Sequence, residues 1–463
     1  MKPNILLMIS HDSGRKFNSY GYNVDTPCIN KLAQKGIQFD NYFCAAPQCS
    51  PSRGSILTGL YPHNNGLIGL AHLGFCIDSK HTTLPMELQK NGYKTTLIGL
   101  SHETINEAPP IEDRVFSSTY DLGYDNFISV PGDRAPKVAK EVLKFLEEHK
   151  KNQEKPFYLN VGFFETHRDF DEYEPYADGL DEVEVFKFLP DTEDVRRDIA
   201  LYNGSAKVLD DAIGKIYNKL EETGLDKNTI VIFTTDHGVA FPGAKGMLKG
   251  AGLETALIIV LPNSSQKNIK KEALLCNIDL LPTILDLIEA EIPKNIDGES
   301  FVKLLKTNED IGRDSFFTEM TWHDQYRPMR GIRTNEYSYV RNFEDGPKIY
   351  ITVDSHLSLS GKAVRDKFYV PNEKEELYDL RKDPLEENNV INDLNYQDIA
   401  KELRKKVDTW MLETKDPLLK GPVKGIGSSR WKTEIEEGRA YPGRDEYYRL
   451  LSNKKKISKK KVL

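Results

Sequence analysis

Strand-length apolar runs alternate with helical stretches over roughly the first 300 residues, and this alternation restricts the fold more than any other feature of the chain. Residues 4–9 (N-I-L-L-M-I) read as the first core strand, and residues 229–234 (T-I-V-I-F-T) as a fully apolar strand of the kind found inside a parallel sheet. Further strands are expected at 94–98, 156–162 and 253–261. Between them fall helices at 26–35, opened by Thr26-Pro27 and closed by Gly36, and at 84–90, stopped by Gly92. Others are expected at 135–149, 202–223 and 280–290. The order predicts an α/β sandwich with a large mixed, mostly parallel sheet between helices, over residues 1–315. After Gly298 the texture changes. Residues 327–342 and 348–355 read as strands joined by polar turns, and 399–414 as an amphipathic helix. This predicts a smaller C-terminal α+β domain with an antiparallel sheet over 316–450, followed by a Lys-rich tail at 451–463 that reads as a solvated end.

Composition excludes several classes of function. At 39% hydrophobic and 29% charged the chain is too apolar for disorder and too polar for a membrane protein. No run approaches the roughly 18 apolar residues of a membrane span. The apolar run after Lys2 is too short for a signal peptide and enters His11-Asp12 directly, so a cytoplasmic location is expected. A net charge of −8 argues against a nucleic-acid binder. Five cysteines, an odd number without a C-x-x-C pair, argue against a disulfide framework and a structural zinc site. Cys28, Cys44, Cys76 and Cys276 are expected to be buried small hydrophobes, whereas the neighbours of Cys49 set it apart.

Ligands of open α/β sheets bind beyond the carboxyl ends of the strands, and three strands here end in polar clusters. They are Ser10-His11-Asp12, Thr235-Asp236-His237-Gly238 and Glu165-Thr166-His167-Arg168. The first two could surround one cation with Asp12, Asp236 and either His11 or His237; the same acids would also serve as helix or turn caps.

The segment Cys49-Ser50-Pro51-Ser52-Arg53, followed by Leu57-Thr58-Gly59, resembles the C-x-P-S-R…L-T-G signature of the formylglycine-dependent sulfatases. The resemblance runs in order along about residues 4–415. It takes in Asn4-Ile5-Leu6 with Asp12, the Thr26-Pro27 helix, Asn228 to Gly238 (N-T-I-V-I-F-T-T-D-H-G), and Glu376-Leu377-Tyr378-Asp379-Leu380 with Asp383-Pro384 and Glu386. Within that family, Phe241-Pro242-Gly243-Ala244-Lys245, His167-Arg168 and Pro328-Met329-Arg330 look most like the N-sulfoglucosamine sulfohydrolase (heparan N-sulfatase) group.

The resemblance implies an alkaline-phosphatase-like sandwich and a metal-dependent sulfatase. A separate maturation enzyme would convert Cys49 to formylglycine. The favoured substrate is a sulfated saccharide ending in N-sulfoglucosamine, from heparin or heparan oligosaccharides. A thiol is a poor nucleophile for sulfate esters. A hydrated aldehyde offers one hydroxyl to attack sulfur and a second to expel sulfate. By the same resemblance, Asp12, Cys49, Asp236 and His237 hold one divalent cation. Carboxylates suit Ca²⁺, whereas His237 and the His11 that stands in place of the usual second acid suit Mn²⁺, so both ions stay open, as does the role of His11 as ligand or supporting group. Arg53 would stabilise residue 49, His102 would deprotonate its second hydroxyl, His167 would protonate the leaving group and Lys245 would clamp sulfate. The family lysine two residues before His102 is Leu100 here. Arg168 would contact sulfate or a sugar carboxylate, and His323, Arg327 and Arg330 would close the pocket over the sugar. The alternative on the same scaffold is a phosphodiester or phosphonate monoester hydrolase, which His237 also fits.

Overall fold

A computed structural model describes residues 2–104, 119, 121–152, 154–324, 326–356, 358–364 and 370–425. The Lys-rich tail lies outside the described residues. The strands are β1 (Asn4–Ser10), β2 (Ile37–Phe39), β3 (Tyr42–Phe43), β4 (Lys94–Gly99), β5 (Asn126–Ile128), β6 (Phe157–Gly162) and β7 (Thr229–Thr235). They continue with β8 (Leu257–Val260), β9 (Ile269–Lys271), β10 (Leu275–Cys276), β11 (Ser315–Trp322), β12 (Tyr326–Thr334), β13 (Tyr337–Asn342) and β14 (Glu375–Asp379).

The expected large sheet forms with strand order β5-β4-β6-β1-β7-β8-β2-β9. It is mixed because β8 runs antiparallel to both β7 and β2, while the other pairings are parallel. β1 lies at its centre, in register with β6 and β7, and all seven of its residues are buried. Successive side chains leave a strand on opposite faces. Accordingly Ile5, Leu7 and Ile9 pack with α2 (Cys49–Thr58), through Ile56 and Leu57, and with α5 (Leu280–Leu287), through Leu281 and Ile284. Leu6 and Met8 face α1 (Pro27–Lys35), α3 (Ala135–Lys151) and α4 (Glu193–Thr223) through Leu32, Val138, Val142, Leu209 and Ile213. Each fully buried aliphatic side chain contributes about 1.5–3 kcal/mol, so this double burial fixes the central strands and the positions of their carboxyl ends.

The smaller antiparallel sheet has the order β11-β12-β13-β14 and packs on α6 (Gln397–Glu413) through Met329, Tyr339, Leu403, Val407 and Trp410. Phe43, Cys44, Met247 and Leu248 of the large unit belong to the same apolar cluster, so the two sheets share a core next to the carboxyl ends of the large one.

Several expectations change. The long helix begins at Glu193 rather than 202, because Thr192 caps it by accepting from the Val195 amide, with Glu193 and Asp194 favourably placed in the first turn. The strand expected over 253–261 is cut to β8, because Gly250–Leu253 forms a helical turn. Residues 348–355 are not a strand: Val353–His356 is a helical turn, and β14 supplies the fourth strand instead. Cys44 and Cys276 are buried as expected, but Cys28 and Cys76 are partly exposed. Among the described residues no helix is long and apolar enough to cross a membrane.

Candidate active site

The in-register pairing of β1 with β7 ends at Ser10 opposite Thr235, and this brings Asp12 and Asp236 together although 223 residues separate them in the sequence. Asp12 adopts a left-handed conformation (φ 57°), which Asp tolerates better than most residues, and the turn points its amide at Asp236 Oδ1, 2.9 Å away. His237 follows directly. A Cβ on Gly238 would lie 2.1 Å from the Ala251 carbonyl oxygen, so only glycine lets the chain turn there and present the imidazole inward. His237 Nε2 lies 2.9 Å from Asp12 Oδ1 and 3.4 Å from Cys49 Sγ. Burial opposes its protonation, but Asp236 and Asp12 outweigh burial and hold its pKa well above the usual imidazole range.

Cys49 opens α2, and Pro51 sits in the first turn, where the missing N–H costs nothing. The four-residue spacing puts Arg53 on the same helix face as Cys49. Arg53 is 1% exposed and donates through Nε to Asp236 Oδ2 at 3.0 Å. Ser52 ties the helix to the Asp236 carbonyl, and Asn277 donates to Ser52 Oγ at 2.9 Å. Burial pushes the Cys49 thiol up, yet Lys245 and His237 outweigh both burial and Asp12 and bring it below the ordinary thiol range.

Lys245 Nζ lies 2.7 Å from Asp12 Oδ2, 2.7 Å from Asp354 Oδ2 and 3.4 Å from His167 Nε2. Asp12 and Asp354 overcome burial and keep the ammonium charged. His167 Nδ1 donates to the Arg168 carbonyl at 2.6 Å, which identifies Nδ1 as the protonated nitrogen and leaves Nε2 facing Lys245, Asp12 and Asp354. Burial and Lys245 hold its pKa below the usual range. His102 follows β4, its ring 5.0 Å from that of His11, and burial together with Arg53 keeps it well below the usual imidazole range, hence neutral. His323 reaches in from the small sheet, paired with Asp324 at 3.1 Å. Burial opposes its charge, but Asp324 and the Cys49 sulfur push its pKa up to about 9.

The structure thus gathers His11, Asp12, Cys49, Arg53, His102, His167, Asp236, His237, Lys245 and His323. It does not gather every expected residue. Arg168 is engaged bidentately by Asp198 at 2.7 and 2.8 Å, donates to the Ala240 carbonyl at 2.7 Å, and lies over Phe170 and Phe241. Arg330 has no exposed surface and is bound by Asp416 Oδ2 at 2.5 Å, with Glu319 at 3.4 Å. Both guanidinium groups, expected to contact substrate, are paired with buried carboxylates of the framework. Arg327 is 6% exposed and lies over the Tyr350 ring. Sequence reasoning missed Asp354, because residues 348–355 read as a strand. It also missed Asp324, which the Tyr350 hydroxyl bonds; its direct adjacency to His323 was the available signal.

Ligand atoms from His11, Asp12, Cys49, Asp236 and His237 all lie within 4.8 Å of one another, and all five residues are buried. Among the described residues, neither ring nitrogen of His11 has a hydrogen-bond partner. Two carboxylates beside buried imidazoles and a thiol fit a divalent cation.

Residues 3–290 match the sulfatase family model, and residues 244–357 match the model described as N-sulphoglucosamine sulphohydrolase, C-terminal. An ulvan-active sulfatase of Formosa agariphila is 27% identical over 89% of this chain and 75% of its own length. The human N-sulphoglucosamine sulphohydrolase is 27% identical over 90% of this chain and 92% of its own. A structure solved in complex with its substrate D-glucosamine-2-N,6-O-disulfate superposes with a TM-score of 0.66 at 21% identity, covering 91% of this chain and 99% of that one. With a family match over more than half of its length and the signature cysteine at the carboxyl ends of the central strands, the chain belongs to the sulfatase family of sulfuric ester hydrolases.

Proposed function

We propose that this sulfatase removes sulfate from a sulfated amino sugar, with terminal N-sulfoglucosamine of heparin or heparan oligosaccharides as the favoured substrate and formylglycine made from Cys49 as the nucleophile. The observation that carries the reading is the placement of Cys49 and Arg53 on one face of α2, against Asp12, Asp236, His237 and Lys245. The match of residues 244–357 to the N-sulphoglucosamine sulphohydrolase C-terminal model supports the substrate class.

Asp12, Asp236, His237 and residue 49 would hold the divalent cation, which when bound supplies Lewis acidity to the reacting oxygens. Maturation of Cys49, by a separate enzyme, supplies a hydrated aldehyde with one hydroxyl for attack on sulfur and one for release of sulfate. The other steps belong to the chain's own side chains. Arg53 is locked by Asp236 on the helix face that carries residue 49 and stabilises negative charge there. His102, held neutral, accepts the proton of the hydroxyl that expels sulfate. Lys245, held charged, binds sulfate oxygen. His167 presents Nε2 beside the Lys245 ammonium, and in its imidazolium form would pass the Nε2 proton to the departing sugar nitrogen or oxygen. His323 and Arg327, from the small sheet, close the sugar side.

The test is sulfate release from N-sulfoglucosamine by protein produced with the maturation enzyme, run beside an activated aryl sulfate and a phosphonate monoester. Wild-type protein is expected to turn over the sulfamate. His167→Ala should slow the sulfamate by about 10²–10⁴-fold, the usual range for losing a general acid, and the aryl sulfate, whose leaving group needs no proton, by less than about tenfold. Equal losses on both would remove His167 from the acid role. Turnover of the phosphonate alone would overturn the sulfatase reading of this site.

A further inference from the structure

We infer that His11 is a metal ligand and that it makes this site select a first-row transition-metal dication over Ca²⁺. The inference deepens the proposed function, because it names the ion of the same site and rests on that site holding a cation.

The main chain at His11 is fixed from both sides. Its amide donates to the Glu165 carbonyl at 2.9 Å, and its carbonyl accepts from the Thr166 amide. The ring has little freedom either, packed against the rings of His102 and His167 with centroids 5.0 and 4.5 Å away. It is 1% exposed, and among the described residues neither nitrogen finds a hydrogen-bond partner. Its Nε2 instead faces Asp12 Oδ1 at 3.5 Å and Asp236 Oδ2 at 3.7 Å, too long for hydrogen bonds. A buried polar atom is normally paired, and an orphan aimed at two carboxylates calls for a group that all three can bind.

His237 Nε2 converges on Asp12 Oδ1 from the other side, at 2.9 Å. Apart from residue 49, the ligand set is therefore two imidazole nitrogens and two carboxylates. An acid at position 11 would give three carboxylates and one imidazole, a set richer in oxygen. Ca²⁺ is a hard ion that takes six to eight oxygen ligands, whereas imidazole nitrogen favours the transition series. Replacing an oxygen donor by a nitrogen donor moves the preference away from Ca²⁺, and His11 can make that change without moving the backbone.

The experiment uses the full chain carrying Cys49→Ala, so that neither the thiol nor its maturation contributes to ion choice. Metal-free protein is titrated calorimetrically with Co²⁺, Mn²⁺ and Ca²⁺ in turn, and the visible spectrum of the Co²⁺ form is recorded. With His11 present, Co²⁺ and Mn²⁺ are expected to bind at least about tenfold more tightly than Ca²⁺. Adding His11→Asp is expected to weaken Co²⁺ about tenfold or more, to strengthen Ca²⁺ and to shift the Co²⁺ spectrum through the loss of one nitrogen ligand. His11→Gln, which keeps the side chain neutral, is the second variant should three carboxylates prevent folding, and it should also shift the Co²⁺ spectrum. A preference for Ca²⁺ with His11 in place, or a Co²⁺ spectrum and ion preference unchanged by either variant, would overturn the inference. No binding of any ion would overturn it too, together with the metal-dependent part of the proposed function. Sulfamate turnover failing in matured protein that keeps Cys49, while the ion preference holds in the Cys49→Ala protein, would overturn only the substrate.

Discussion

Cys49→Ala is expected to abolish sulfatase turnover, by 10⁴-fold or more on the order of magnitude seen when a covalent nucleophile is removed, while the protein still folds. The loss is large because, among the described residues, no other group near the reacting position can take the role. Asp12, Asp236 and His237 are committed to one another and to Arg53, and Lys245 is held charged between two carboxylates. The structural cost is small because the helix is held by other means. Ser52 bonds the Asp236 carbonyl, Asn277 holds Ser52, and Ile56 and Leu57 are buried in the core. Unfolding free energy should change by about 1 kcal/mol, typical of a single substitution. Rates measured beside a thermal melt separate the two effects. Substantial residual activity in a folded variant would end the formylglycine account.

Lys245→Ala carries the second large effect. The ammonium sits 2.7 Å from both Asp12 and Asp354, and its own side chain is 1% exposed. In the proposed reaction, its removal deprives the sulfate oxygens of a desolvated cation where charge develops in the transition state. Losing one such preorganised group costs about 10²–10³-fold in kcat. It also leaves Asp12 and Asp354 unneutralised around the vacated space. Breaking a buried ion pair from one side typically costs about 3–5 kcal/mol, and the lower end applies because Asp354 keeps some exposure. Both a slower enzyme and a lower melting temperature are therefore expected, and a bound cation should restore part of the stability but not the rate. A kcat within threefold of wild type would remove Lys245 from sulfate binding.

Much of this arrangement was legible in the sequence, for a physical reason. Strands apolar on both faces declare that they are central, and central parallel strands must end side by side. The polar ends of residues 4–9 and 229–234 thus bring Asp12 and Asp236 within reach of one cation, whereas Arg53 beside Cys49 is legible through the resemblance. The errors share a different cause, which is that long-range partners leave no local mark. Nothing near Arg168 announces Asp198, thirty residues on, and nothing near Arg330 announces Asp416. Both are expected from the sequence to contact substrate, and the structure pairs each with a buried carboxylate of the framework. Asp354 was missed for the converse reason. Ile349, Tyr350 and Ile351 form an apolar run of strand length, but they pack as a connection that delivers Asp354 to Lys245. His323 was legible only through family resemblance, because its place depends on how the small sheet docks against the large one.

The most direct test of the central claim is the mass of the tryptic peptide spanning residues 36–53, from protein made together with a formylglycine-generating enzyme. That peptide contains both Cys44 and Cys49. The account predicts the thiol-to-aldehyde mass loss at position 49, with Cys44 alone remaining open to alkylation. An intact thiol at Cys49 in protein that nonetheless hydrolyses sulfated sugars would contradict it.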